Sequence, residues 1–315
     1  MSLNFAGLLK RLPVFLFLVF CLQAEENLYD WSKTPELFPG IKHVFLDTDK
    51  PRTLKVNVIQ VDLSRKDLRF MTVDRDPDWG KPMPDYDLPI RVRRKTVRDF
   101  MLDAREHGID MLVAVNATPW IPWKPPYTHV YAAKMGLVIS NGVMVDSPNG
   151  RPVFLITKQN EFQIRHLAKN EDLSKIQLAL TGFEIILKDG KVLPARRSPN
   201  PAPRTGYGLS PANRYFLIIV VDGRMKWISE GVNTVELAEL MRYFGAEVAI
   251  NMDGGGSSTL MVYDDKDGVR QLNKNPILRR VASSLGIFRV KPDEEKAGKN
   301  NSSADSKPDP ADKTP

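Results

Sequence analysis

The stretch Asn251-Met252-Asp253-Gly254-Gly255-Gly256-Ser257-Ser258-Thr259 constrains the fold more than any other part of the chain. The apolar run Val248-Ala249-Ile250 leads into it and Leu260-Met261-Val262 leads out. Short apolar runs bounded by turn residues read as buried strands, so the motif is expected to be a tight connection between two strands. Three consecutive glycines are costly to order, because each loses more backbone freedom on folding than any other residue. The cost implies a backbone that approaches something closely, and bare N–H groups aimed at an anion are the simplest case. Asp253 then stands at the end of a buried strand, where a carboxylate is held for chemistry. The bland alternative is a tight turn with no ligand, glycine being the usual turn residue. A nucleotide P-loop is excluded: no Lys-Ser/Thr pair follows the glycines, and residues 259–263 read as a strand rather than a helix.

A second strand end resembles the first. Phe216-Leu217-Ile218-Ile219-Val220-Val221 runs into Asp222-Gly223-Arg224. Between the two strands, residues 234–244 carry helical spacing, with Asn233 or Thr234 as N-cap, an apolar face of Val235, Leu237, Ala238, Leu240 and Met241, and Gly245 as stop. If the two strands are parallel neighbours, Asp222 and Asp253 open at one rim. Two carboxylates at one rim are what glycoside hydrolysis needs, one to protonate a leaving oxygen and one to activate water or attack the anomeric carbon. Arginine beside them suits a phosphate, since its planar fork matches two phosphate oxygens. Arg204, Arg224 and Arg280 each sit next to a motif and are the candidates; Arg196 and Arg197 read as a solvated face. A structural Asp–Arg turn is the competing reading of Asp222 and Arg224, because Asp-Gly is a common turn pair.

Elsewhere the chain reads as hairpins with few helices. Asn141-Gly142 and Asp189-Gly190 are two-residue hairpin turns, and residues 153–164 read as a further hairpin. Residues 54–63 alternate as a strand, and the last strand spans 281–290. Val97, Phe100, Met101 and Ala104 give a helix over 96–107 that Gly108 stops in a left-handed cap. Residues 111–115 form a buried strand that ends in Asn116. The Pro-rich loop beyond it carries Trp120, Trp123 and Tyr127, flat faces either for a sugar ring or for packing the loop onto the body. These elements together predict a mixed α and β domain: one mixed sheet, several hairpins and two or three helices.

Residues 1–24 have the grammar of a secretory signal peptide: Lys10 and Arg11, an apolar stretch at 12–22 too short to span a bilayer, and Ala24 as cleavage point. Cleavage takes the formal charge from +7 to +5 and removes Cys21, the only cysteine. The product is expected in the periplasm or secreted, with an uncleaved anchor or a lipid on Cys21 as minority alternatives, and with no stable membrane insertion after cleavage. Residues 25–38 read as an extension, 39–290 as the domain, and 291–315, poor in large apolar residues, as a disordered tail. The mild positive charge suits an anionic substrate, and no DNA or RNA module accompanies it. The four histidines show no paired metal spacing. Asp264-Asp265-Lys266-Asp267-Gly268 lacks the calcium-loop pattern and reads as a hairpin tip.

At Val220-Val221-Asp222-Gly223-Arg224, residues 231–241 and the glycine motif, the chain resembles the phosphodiester glycosidase domain family, which includes the catalytic domain of N-acetylglucosamine-1-phosphodiester α-N-acetylglucosaminidase. Pro39-Gly40-Ile41, Asn116, Arg204-Thr205-Gly206-Tyr207-Gly208 and Arg280-Val281-Ala282 extend the resemblance over most of 39–290. The chain departs from the family pattern at Ala117-Thr118-Pro119-Trp120, where glycines and aromatics are usual, and at Met252, where leucine is commoner. The resemblance implies hydrolysis of a sugar-1-phosphodiester between the anomeric carbon and the phosphate oxygen. It gives Gly254, Gly255, Gly256, Ser257 and Ser258 with Arg204, Arg224 and Arg280 the phosphate, and Asp253 and Asp222 the acid/base or oxocarbenium-stabilising role. Asn116 is expected to orient a sugar hydroxyl, with Asn251 also at the substrate. No cofactor is expected, although a divalent cation on Asp253 or Asp222 stays open. Two rival readings keep the site: a non-catalytic module that binds anionic glycans, and a phosphodiesterase that cuts the phosphate–aglycone bond.

Overall fold

The computed structural model describes residues 28–125, 127–133, 135–194 and 199–290. The expected signal peptide, Cys21, Arg196, Arg197 and the expected C-terminal tail lie outside them.

The expectation of a mixed α and β domain with one mixed sheet is overturned. The fold is predominantly β, with two α-helices among the described residues, and every strand pairing in its sheets is antiparallel. The strand–helix–strand stretch at 215–251 explains the misreading. Tyr215–Val221 and Val248–Asn251 do run parallel, on either side of the helix Thr234–Tyr243. They are not neighbours, however. Arg204–Leu209 lies between them and pairs antiparallel with both. A unit whose spacing suggests a parallel crossover is thereby built into an antiparallel sheet.

That sheet has eight strands, with Leu54–Asp62, Tyr215–Val221, Arg204–Leu209 and Val248–Asn251 at its centre. A second sheet places Leu260–Asp264, Asp110–Asn116 and Ser284–Arg289 side by side. A third, from Val138–Ser140 to Ile176–Thr181, closes one side. Alternation along the strands sorts their side chains between layers. Ile59, Val61, Ile218 and Val220 point into the main core with Val113, Val115, Leu285 and Ile287 of the second sheet. Val56, Val58, Leu217, Ile219 and Val221 face the other way, under Leu237, Ala238 and Met241 of the helix Thr234–Tyr243. The helix Val97–Glu106 covers the second sheet in the same manner, with Phe100, Met101 and Ala104 on Met111, Ala114 and Met261.

Local chemistry sets the element ends. Asn233 and Glu236 form a reciprocal capping box at the second helix, and Thr96 caps the first. Asn141 and Gly142 both have positive φ, as do Asp189 and Gly190, the backbone that a two-residue hairpin turn demands. Asp264 and Gly268 bracket a hairpin tip in which Asp264 accepts from the Lys266 and Asp267 N–H groups. The segment before residue 39 is woven into the domain: Glu36–Phe38 is an edge strand, and the Trp31 indole donates to the Phe244 carbonyl. Among the described residues no helix is long and apolar enough to cross a membrane.

Candidate active site

The glycine motif passes from one sheet to the other across the edge of the main core. It leaves the eight-stranded sheet at Asn251 and joins the second at Leu260. Arg204 pairs with Val221, and Gly206 with Asn251. Asp222, Arg204 and Asp253 therefore gather at one edge, with the acid-bearing strands two strand spacings, about 10 Å, apart.

Asn116 ties the sheets together. It is completely buried. Its Oδ1 accepts from the Thr205 hydroxyl (2.9 Å) and the Thr259 N–H (3.1 Å), and its Nδ2 donates to the Asp253 carbonyl at 2.6 Å. The Tyr207 hydroxyl donates to the Asn116 carbonyl. These contacts place Asn116 behind Asp253, holding its backbone. Asn251 is also buried, and its Oδ1 has no hydrogen-bond partner.

Asp253 is half-buried, and its carboxyl lies among donors. Burial pushes it up to about 6, against the opposing effects of the Ser257 hydroxyl, the Arg279 charge, the Gly254 N–H and the Trp120 indole. A carboxylate near that value changes its charge state within the working pH range of most enzymes.

The glycines do a different job from the expected one. The Gly254 N–H donates to Asp253 Oδ1 (3.0 Å), and the Gly255 N–H to the Pro203 carbonyl (2.8 Å). The Ser257 and Ser258 N–H groups turn back to the Gly254 and Gly255 carbonyls. Four of the N–H groups expected to cradle an anion are thus spent within the protein. What the glycines supply is room. A side chain on Gly254 would meet the Pro203 carbonyl at 2.9 Å. Gly255 has φ +60° and lies against the Arg224 guanidinium, and Gly256 lies against that of Arg279. Because the atom met at Gly256 is the far end of a flexible side chain, Gly256→Ala is expected to displace Arg279 and leave the fold intact. We expect turnover to fall roughly 10- to 100-fold with a melting temperature close to the parent's, measured by steady-state kinetics beside thermal denaturation.

Arg279, which the sequence did not single out, lies beside the expected Arg280 and reaches the motif. Its guanidinium carbon lies 4.5 Å from the Trp123 ring centroid, and its Nη1 is 3.5 Å from the Ser257 Oγ. Burial lowers its pKa; the charge of Asp253 raises it and that of Arg224 lowers it. Arg280 is exposed, and its charge, like that of Arg279, acts on Arg94. Nothing in an Arg-Arg pair at a loop end says which one turns inward. Arg224 is exposed and adopts a left-handed backbone (φ +60°) beside Gly255. Arg204 is buried and donates to the Val232 and Asn200 carbonyls, both at 3.1 Å.

Asp222 is 1% exposed and faces a neighbouring loop. Its oxygens accept from Asn273 Nδ2 at 3.0 Å and from the Lys274 N–H at 2.8 Å. Burial raises its pKa, opposed by the Asn273 and Lys274 hydrogen bonds. Asn273 in turn donates to the Ser258 carbonyl and accepts from the Leu260 N–H, while Asn275 donates to the Gly256 and Ser258 carbonyls. Asp222 thus braces the glycine motif through residues 273–275, another contribution that the sequence reading did not see. The aromatic loop completes the site: Trp120 is buried beside Asp253, while Trp123 and Tyr127 continue outward in edge and tilted contacts. Among the described residues no cluster of three His, Cys, Asp or Glu side chains is placed to hold a metal ion.

The site is thus the half-buried Asp253 between an arginine pair and a wall of aromatic rings. The sequence profile of the phosphodiester glycosidase family matches residues 113–288, from the strand that ends in Asn116 to the last strand of the second sheet. A search of curated proteins by sequence gave no match. Among solved structures, the chain is similar to the catalytic domain of zebrafish N-acetylglucosamine-1-phosphodiester α-N-acetylglucosaminidase, auto-inhibited by its pro-peptide, at 16% identity and a TM-score of 0.55 over 84% of this chain and 87% of that one. It is also similar to a hypothetical protein from Synechocystis, at 12% identity and a TM-score of 0.57 over 82% of this chain and 64% of the other. At these identities the two structures speak for the fold.

Proposed function

The chain belongs to the phosphodiester glycosidase family, and from that premise we propose that it hydrolyses the glycosidic bond of a sugar-1-phosphodiester, releasing free sugar and a phosphomonoester. One observation carries the reading: half-buried Asp253 has its carboxyl between the Arg279 charge and the Trp120 indole. Arg279 and Arg224 supply a seat for the phosphodiester anion, and Trp120 and Trp123 supply a flat face for the sugar. In the reaction, water attacks the anomeric carbon while the bond to the phosphate oxygen breaks and its electron pair leaves with the phosphate. A phosphate monoester is a good leaving group, so no protonated acid is needed on that side. The arginines balance the second negative charge that develops there. Asp253 works as the carboxylate: it takes the proton of the attacking water and offsets positive charge on the sugar ring. Asp222 and Asn116 are positioning residues, the one bracing the glycine loop and the other holding the Asp253 backbone. Export of the mature chain is part of the same proposal and rests on the reading of residues 1–24.

A carboxylate that must be ionised gives a rate that rises with pH. For Asp253 the acid limb of kcat/KM is expected near pH 6, with activity lost below it and a plateau above; a rate that falls as pH rises through 6 makes Asp253 an acid instead. The function itself is tested with a panel of sugar-1-phosphodiesters followed by NMR. Free reducing sugar and an aglycone phosphate are expected. Sugar-1-phosphate as product moves the protein to the phosphodiesterases, and saturable binding without product makes it a glycan-binding module.

A further inference from the structure

Three loops meet over the glycine motif. Residues 117–130 reach it through Trp120 and the Ala117 carbonyl, which accepts from the Asp253 N–H. Residues 223–230 reach it through Arg224 at Gly255, and residues 272–280 through Asn275 and Arg279. These loops carry six of the eleven large apolar side chains exposed among the described residues. Trp227 is 79% exposed, Ile277 73%, Trp123 and Tyr127 51% each. From 117 to 130, 223 to 230 and 272 to 280, the loops hold six cations (Lys124, Arg224, Lys226, Lys274, Arg279 and Arg280) against a single carboxylate, Glu230.

The Trp227 tip is presented rather than loose. Its turn is closed by Met225 and Ser229, and Ser229, completely buried, donates to the Asp222 carbonyl (2.6 Å) and accepts from the Lys55 N–H (3.0 Å). Trp227 and Tyr127 both have left-handed backbones, with φ +67° and +63°. A bulky residue there is uncommon and pays in backbone strain. Exposed aromatic tips on an anchored base, ringed by cations, have the composition of a surface that seats at the headgroup level of an anionic bilayer, the rings at the boundary and the cations on lipid phosphates. We propose that this rim docks the protein on an anionic lipid surface and that, given the glycosidase reading of the site, the aglycone it takes is a lipid. The sugar phosphate of such a substrate projects from the lipid surface into the site between Arg224 and Arg279.

The test compares the mature chain, residues 25–315, with its Trp227→Ser/Ile277→Ser variant, neither residue being part of the reacting site. Leaving out residues 1–24 keeps their apolar stretch from binding vesicles by itself. Co-sedimentation uses mixed phosphatidylglycerol–phosphatidylcholine vesicles and pure phosphatidylcholine vesicles. The parent is expected to prefer the mixed vesicles, to release them as salt rises, and to bind them roughly tenfold more tightly than the variant. A vesicle-embedded sugar-1-phosphodiester with a lipid aglycone is expected to lose turnover in the variant, while a water-soluble short-chain one is turned over equally by both. Equal vesicle binding by parent and variant overturns the proposal, as does a self-association that the variant loses, which assigns the tips to a second copy of the chain. Turnover of the soluble substrate without any vesicle preference sinks the lipid inference and leaves the glycosidase standing. Vesicle binding with no turnover of either substrate sinks the glycosidase reading and the lipid aglycone with it.

Discussion

Asp253→Asn is expected to lower kcat/KM roughly 10³-fold, about 4 kcal/mol of transition-state stabilisation, in a protein that stays folded. The amide is nearly isosteric but takes no proton from water and offers no charge to the sugar. The same substitution carries a stability signature that reports the burial of the carboxyl independently of its role in turnover. The folded-state pKa of Asp253 is raised to about 6, above its unfolded value. Its contribution to stability is therefore fully present below the unfolded pKa and lost as pH rises through 6, where the buried carboxyl must ionise. The asparagine at 253 does not ionise. The melting temperature of the inactive variant relative to the parent is thus expected to rise between pH 5 and pH 8, by up to several degrees. Thermal denaturation at the two pH values, run beside the kinetics, checks both halves. Activity within a few fold of the parent removes Asp253 from the chemistry. An unchanged melting difference removes the burial argument.

Arg279→Ala is expected to cost roughly 10²- to 10³-fold in kcat/KM, while Arg280→Ala next to it changes little. Arg279 is half-buried and faces Asp253 and Ser257, whereas Arg280 is exposed. Arg279 also lowers the Asp253 pKa. Its removal should therefore carry the acid limb of the pH profile upward from about 6, a shift that loss of substrate binding alone does not produce. Arg279→Lys is expected to keep the limb near its place and recover only part of the rate, since an ammonium lacks the fork that spans two phosphate oxygens. A pH series on the three variants decides it. Equal losses at 279 and 280 contradict the geometry.

The contrast between these two arginines shows where the sequence stops being readable. Local rules resolve what is local. The Asn233 cap, the Asn141-Gly142 and Asp189-Gly190 turns and the hairpin tip at 264–268 follow from the residues that occupy them. The glycine motif is legible as a strand-to-strand connection beside an acid, and the structure has that connection. Long-range placement is not legible. No spacing within 215–251 announces that Arg204–Leu209 slots between its two strands, so an antiparallel sheet reads as part of a mixed one. The same limit applies in the site. Asp222 ends its strand like Asp253, but its partners Asn273 and Lys274 lie about fifty residues on. The glycines signal a close approach. What approaches is the arginine pair and the Pro203 carbonyl, and the backbone N–H groups are turned inward.

The fate of the phosphate oxygen tests the central claim most directly. Hydrolysis of a sugar-1-phosphodiester in ¹⁸O-labelled water, read by mass spectrometry of both products, reports which bond breaks. If Asp253 activates water against the anomeric carbon while Arg224 and Arg279 hold the leaving phosphate, the label appears in the free sugar and the phosphomonoester is unlabelled. Label in a phosphate group contradicts the account, because water has then attacked phosphorus.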